Sequence, residues 1–165
     1  MKCILILIGL IYSSVTLAEL HLHTSEAVLA DMAKMGEKSY LMSLYNQPEK
    51  WAYVLGQIET GAKPWLNIAD LLKAHSDAAT TRGLNYAMFF ALKNAPSNVL
   101  TVLGKHYSVK EVCVSPFIEN ELEYELGFLK TIRNRLIKTT TVSNEKASCL
   151  ASIEQQISDF SKMPH

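Results

Sequence analysis

Apolar side chains recur at intervals of three or four residues along most of the chain, the spacing of one buried face of an α-helix. The first such segment runs over 25–45 and predicts one amphipathic helix. Pro48 suits the first turn of the next helix and Gly61 suits its C-terminal cap, after which Pro64 opens another helix. The pattern therefore predicts at least three helices before residue 75.

The same spacing continues through the second half of the chain, interrupted by residues that begin or end helices. Asp77 is a good N-cap for a helix that the stretch 94–96 breaks, and Gly104 stops a short helix after that break. Residues 108–113 form a short helix or a turn. No convincing strand pattern appears beyond residue 18.

The longest predicted helix, 120–138, changes charge along its length, from acidic first turns to basic last turns. This order complements the helix dipole. The acidic residues are Glu119, Glu121, Glu123 and Glu125, and the basic residues are Lys130, Arg133, Arg135 and Lys138. The residues predicted to face inward are Leu122, Leu126, Leu129, Ile132, Leu136 and Ile137. The last helix begins at Ser143 or Asn144, and its apolar stripe is Ala147, Leu150, Ile153, Ile157 and Phe160.

Two segments, 51–72 and 84–105, resemble each other when one is slid by 33 positions along the chain. Tyr53 then falls on Tyr86, and a turn stands at the same place in both segments. Such a period is typical of stacked helical hairpins. The predicted fold is all-α: an irregular helical bundle, with two HEAT-like stacked hairpins as the alternative arrangement.

The first eighteen residues, Met1–Ala18, follow the pattern of a cleaved secretory signal peptide, with Lys2 before an apolar stretch and small residues at the cleavage site. A transmembrane anchor is the alternative. However, the 16 uncharged residues before Glu19 fall short of the roughly 20 that span a bilayer. We predict a signal peptide over 1–18, a single helical domain over 19–165, and a periplasmic or secreted product with no stable membrane insertion.

The number and positions of the three cysteines are consistent with an exported protein. Cys3 leaves with the signal peptide, and the remaining pair, Cys113 and Cys149, is expected to form a disulfide in an oxidising compartment. Two buried free thiols are the alternative. A metal site is disfavoured because neither cysteine belongs to a CxxC pair or lies near a histidine at ligand spacing.

Composition and motifs narrow the function classes. Sixteen basic and sixteen acidic residues leave no net charge, and nucleic-acid binding relies on an excess of Lys and Arg, so no nucleic acid is expected as a partner. No nucleophile, phosphate-loop or zinc-protease pattern is present, so we predict no catalytic residue, no cofactor and no enzymatic activity. His21 and His23 have a chelating spacing, but no third ligand is evident, and we predict no metal site.

Two features point to a protein partner. The acidic segment 119–125 suits a basic surface, and Glu119, Glu121, Glu123 and Glu125 are the predicted contact residues. In the helix after Asp77, Tyr86, Phe89 and Phe90 widen the apolar face. Such a helix is either central or covered by another chain. We favour the central position, and the alternative is an interface, either of a homodimer or with a protein partner.

A signal peptide, an all-helical domain and one long-range cysteine pair together resemble small periplasmic proteins of Gram-negative bacteria. In outline the chain is similar to the immunity proteins that neutralise type VI secretion amidase effectors. The stretch PWLNIADLLKAHSDAATTRGLNYAMFFALKNAPSNVL also looks like segments of exported bacterial proteins. The resemblance implies a helical periplasmic binder that occludes a toxin's active site, and a scaffold or assembly factor for envelope proteins is the alternative.

Overall fold

The computed structural model describes residues 24–117 and 122–162, and all regular structure within these ranges is helical. Leu103 and Tyr107 form an isolated bridge that belongs to no strand of the described part. The predicted all-α class is therefore confirmed. The helices are α1 (Ser25–Met35), α2 (Glu37–Tyr45), α3 (Pro48–Glu59), α4 (Lys63–Lys73), α5 (Ala78–Asn94), α6 (Pro96–Leu100), α7 (Val109–Val112), α8 (Leu122–Lys138) and α9 (Asn144–Phe160).

The prediction of one helix over 25–45 is wrong, because the chain bends at Gly36 between α1 and α2. Gly36 has a φ of +83°, a backbone conformation that side chains with a Cβ rarely adopt. Its N–H donates to the carbonyl of Met32 at 2.8 Å and so closes the end of α1. The periodic pattern continues across the bend, so it did not reveal the break.

The other predicted helix boundaries follow from interactions between near neighbours in the chain. Pro48 and Pro64 stand in the first turns of α3 and α4. Gly61, just after α3, has a φ of +73°. Before α5, the Asp77 carboxylate accepts from the Thr80 N–H at 2.9 Å, and the Thr80 hydroxyl accepts from the Asp77 N–H at 3.0 Å. This capping box satisfies backbone donors at the helix start and confirms Asp77 as the N-cap.

The two hairpins of the predicted repeat pack side by side, with α3 against α5 and α4 against α6. Their turns also touch: the Asn94 amide donates to the Glu59 carbonyl at 2.7 Å, and the Asn98 amide donates to the Gly61 carbonyl at 2.9 Å. These contacts between the turns set the position of one hairpin relative to the other along their helix axes.

Helix α5 lies at the centre of the fold and contacts α3, α4, α6, α7 and α8. Leu84, Met88, Phe89 and Leu92 on this helix are completely buried. The central position that we favoured for this helix is therefore confirmed.

The disulfide between Cys113 and Cys149 is also confirmed, with the two Cα atoms 5.3 Å apart. It joins the end of α7 to α9, which packs along α8. The Cys113 carbonyl accepts hydrogen bonds from the Gln156 amide at 2.8 Å and the Ser152 hydroxyl at 3.1 Å. Helix α9 is thus held to the rest of the fold by a covalent bond and by side-chain hydrogen bonds.

The inward faces of the last two helices differ in detail from the prediction. Ile137 and Ala147 are exposed, whereas Phe128, which the periodic pattern did not include, is buried. Phe128 packs against Phe89 and Phe90 of α5, so the buried face of α8 includes Phe128 and leaves out Ile137. None of the described helices is both long and apolar enough to cross a membrane. The predicted signal peptide, 1–18, lies outside the described residues.

Candidate functional site

The acidic segment that sequence predicted as a partner contact is only partly described. Glu119 and Glu121 lie outside the described residues. Glu123 is exposed in the first turn of α8, whereas Glu125 is buried. Acidic residues at alternate positions of a helix therefore point to different sides of it. Of the two glutamates that the structure describes in this segment, Glu123 faces solvent.

Next to Glu123 lies a cluster of aromatic side chains, which we call the aromatic surface: Tyr86, Phe90, Phe117 and Tyr124, with Phe128 beneath them. The ring centroids of Tyr86 and Phe90 are 5.0 Å apart, and Phe117 lies 6.0 Å from Tyr86 and 5.8 Å from Tyr124. The rings come from α5, the segment after α7, and α8, so the surface exists only in the folded chain.

The aromatic surface is buried on its inner side and open on its outer side. Phe89 stacks on Phe128 with centroids 5.3 Å apart, and both rings belong to the core. Tyr124 and Tyr86 keep 57% and 37% of their surface exposed. Single exposed aromatic residues are common, but a contiguous group joined to the core is typical of binding surfaces.

A cation already lies at the inner end of this cluster. The Lys93 ammonium is 4.6 Å from the centroid of Phe128, within the range of a cation–π interaction. The Arg135 guanidinium donates to the carbonyls of Lys93 and Asn94 at 2.8 and 3.1 Å. These bonds satisfy carbonyls at the end of α5 and hold α8 against it.

Negative charge lies at the outer side. The pKa of Tyr86 is raised by partial burial and, to a smaller extent, by the nearby Tyr124 hydroxyl and the Glu59 carboxylate. Burial also raises the pKa of Glu59, at the end of α3. The Glu59 carboxylate therefore lies close enough to Tyr86 to act on its hydroxyl, and Glu123 directly precedes Tyr124 in the first turn of α8.

Sequence reasoning found the α5 members of this surface but missed Phe117, Tyr124 and Phe128. Tyr124 and Phe128 are four residues apart, which places them on one side of α8, and that spacing was a usable signal. Phe117 carries no such signal, because it lies outside any helix.

A second polar cluster joins α4, α5 and α7 around the largely buried Lys73. Its ammonium donates to Glu111 at 2.7 Å and to Asn85 at 3.1 Å, and it lies 5.4 Å from the Tyr107 ring centroid. Burial alone would raise the pKa of Glu111, but hydrogen bonds from Lys73 and Ser108 and the Lys73 charge outweigh it and lower the pKa to about 2. The polar groups satisfy one another, which suits a structural joint.

The described histidines pair with single carboxylates. The imidazole of His75 lies 2.9 Å from Glu37, and that of His106 lies 3.2 Å from Asp70. Within the described ranges, no group of three or more potential ligands is arranged to hold a metal ion. His21 and His23 lie outside those ranges.

Comparisons of the chain with models of known protein families, with curated proteins and with solved structures found no match.

Proposed function

We propose that the protein acts by binding another protein through the aromatic surface, as an exported inhibitor of the immunity type that occludes its partner. The observation that carries this proposal is the contiguous outer face of Tyr86, Phe117 and Tyr124, with the exposed Glu123 preceding Tyr124 in the chain. Tyrosine supplies a large contact area at low entropic cost, and its hydroxyl can still form hydrogen bonds. Anchoring by a few such residues is typical of protein interfaces.

The rigid base of the surface supports the same proposal. Phe90, Phe117 and Phe128 pack against one another with centroid distances between 5.0 and 5.8 Å. Rings held in place before binding lose little conformational freedom when a partner covers them, which favours affinity. The outer tyrosines therefore rest on a preorganised support.

Capture from a periplasmic extract tests this proposal, with the exported protein immobilised. Tyr124→Ala should lower the affinity for the captured partner about tenfold or more, because an anchor ring is lost. Tyr45→Ala is the control, since Tyr45 is also an exposed tyrosine, at 40%, and its ring also packs edge-on against another aromatic ring, that of Trp51. Equal capture by both variants would exclude the aromatic surface, and no capture by the wild type would reject the binding function.

A pair of matched variants tests whether the acidic residue Glu123 contributes to partner binding. Glu123 and Glu49 are both exposed glutamates in the first turn of a helix, so their replacement by Lys disturbs the helix dipole equally. We expect Glu123→Lys to weaken capture and Glu49→Lys to leave it unchanged. An unchanged affinity of the Glu123→Lys variant would remove the acidic contact from the proposal.

The side-by-side packing of the α3–α4 and α5–α6 hairpins favours a second candidate, a scaffold for envelope proteins. Stacked hairpins present extended surfaces to partners. The identity of the captured material separates the candidates: one stoichiometric hydrolase supports the inhibitor, and a multiprotein envelope complex supports the scaffold.

A further inference from the structure

We infer that the aromatic surface receives a cationic side chain, arginine or lysine, of its protein partner on the exposed outer sides of Tyr86 and Tyr124. This inference rests on the proposed function and names the chemistry that the surface recognises. It is carried by the arrangement of the rings, by the Lys93 cation on the same cluster, and by the acidic residues Glu59, near Tyr86, and Glu123, next to Tyr124 in the chain.

The rings provide a place for such a side chain. Tyr86 and Tyr124 both meet Phe117 edge-on, with interplanar angles of 82° and 61°. Phe117 therefore separates two partly exposed tyrosine rings. Aromatic faces attract ammonium and guanidinium groups, and the planar guanidinium also stacks on them.

The cluster already binds one cation within the chain. Lys93 lies over Phe128, whose centroid is 5.0 Å from that of Phe90 and 6.4 Å from that of Tyr124. Among the described residues, no ammonium or guanidinium lies over the ring of Tyr86 or Tyr124. The inner end of the cluster is occupied by a cation, and the outer end is open to one from another molecule.

The charges beside the outer rings favour a cation over an anion. Glu59 lies within electrostatic range of the Tyr86 hydroxyl, and Glu123 directly precedes Tyr124 in the first turn of α8. An acidic side chain placed here would meet like charge, whereas a basic one would combine ring contact with charge pairing.

Nuclear magnetic resonance titration of the exported protein with an end-blocked tri-arginine peptide tests the inference. We expect saturable shifts of the Tyr86 and Tyr124 ring signals. Tri-citrulline has the same shape without the charge and should bind at least about fivefold more weakly. Equal binding of the two peptides, or shifts confined to other parts of the protein, would overturn the inference.

Variants of Tyr124 and Glu123 test whether the tri-arginine peptide binds at the aromatic surface. Tyr124→Leu keeps an apolar side chain but removes the ring, and it should lower tri-arginine affinity about threefold or more, whereas Tyr45→Leu should not change it. Glu123→Gln should reduce the affinity and its salt dependence. Loss of partner capture by Tyr124→Ala without any tri-arginine binding would refute cation recognition and leave the proposed function standing.

Discussion

At the scale of single residues, the two hairpins can pack closely at Gly61 because glycine has no Cβ atom. A Cβ at this position would lie 2.5 Å from the Cβ of Ala95 and 3.3 Å from the carbonyl oxygen of Ala91, and the φ of +73° disfavours any side chain. Gly61→Ala combines backbone strain with overpacking, so we expect a loss of about 2–4 kcal/mol in the free energy of unfolding. Urea denaturation measures it.

Gly56→Ala is the matched control for that prediction. Gly56 lies inside α3, and a Cβ there meets nothing within 4 Å. Alanine is favoured over glycine inside a helix by about 1 kcal/mol, so this variant should be as stable as the wild type or more so. Similar destabilisation by the two substitutions would contradict the close contact between the turns.

Glu111 gives a prediction on pH. Its pKa of about 2 in the folded protein lies below the ordinary value of 4.5, so the stability from its ionised form is present above pH 4.5 and declines as the pH falls toward 2. Glu111→Gln should cost about 1 kcal/mol at neutral pH, a value reduced for the partial exposure of Glu111, and the difference should shrink in acid.

Urea denaturation of both proteins between pH 7 and pH 2 measures this convergence. Glu49→Gln provides the comparison, because Glu49 is exposed and no ion pair in the described residues involves it. A constant difference between the wild type and Glu111→Gln across this range would show that the Lys73–Glu111 contact does not stabilise the fold through charge.

At the scale of helices and their links, the disulfide decides how firmly α9 is attached. The bridge joins residues 36 apart in sequence, and chain-entropy arithmetic for that loop assigns it about 4 kcal/mol. We expect the double variant Cys113→Ala, Cys149→Ala to lose roughly this amount in urea denaturation, and the reduced wild type to behave likewise. Equal thiol labelling of the native protein with and without reductant would refute the bridge.

Helix boundaries were predicted where the capping residue also interrupts the apolar spacing, and one was missed where that spacing continues across the cap. Asp77 and Thr80 cap α5 within three residues of each other, so the sequence shows the signal directly. Gly36 is also a local cap, since its N–H closes α1 on the Met32 carbonyl, but the apolar spacing continues across it and hid the break. Its bend lets α1 pack against α4 while α2 packs against both α3 and α4, contacts that no window of the sequence contains.

At the scale of the whole molecule, the predictions of a disulfide and of a periplasmic partner both depend on export of the protein. Large residues at the last position of a signal peptide block cleavage, so Ala18→Arg should leave an uncut precursor, whereas Glu19→Gln should be processed normally. Intact mass and N-terminal sequencing of the product measure this, and the mature wild type should begin at Glu19. A wild-type chain that retains Met1 after export would contradict the signal-peptide interpretation.

The candidate site was only half visible before the fold was known. Tyr86 and Phe90 share a face of α5 and were recognised as an aromatic group, but nothing in the sequence joins them to Phe117 or Tyr124. The acidic residues were recognised as a set, yet α8 buries Glu125 and exposes Glu123. The sequence names the residue types, and the packing of α8 on α5 selects which of them face solvent.

The sequence by itself determined the helical class, most helix boundaries and the pairing of Cys113 with Cys149. These depend on periodicity, on capping interactions within a few residues, and on an even number of cysteines. At Gly36 the structure revealed a local helix cap that the periodic pattern hid. Only the tertiary structure decided the Lys73–Glu111 contact and the aromatic surface. Each of these depends on residues far apart in the chain, and their contact follows from the best burial of the whole apolar surface rather than from any local preference.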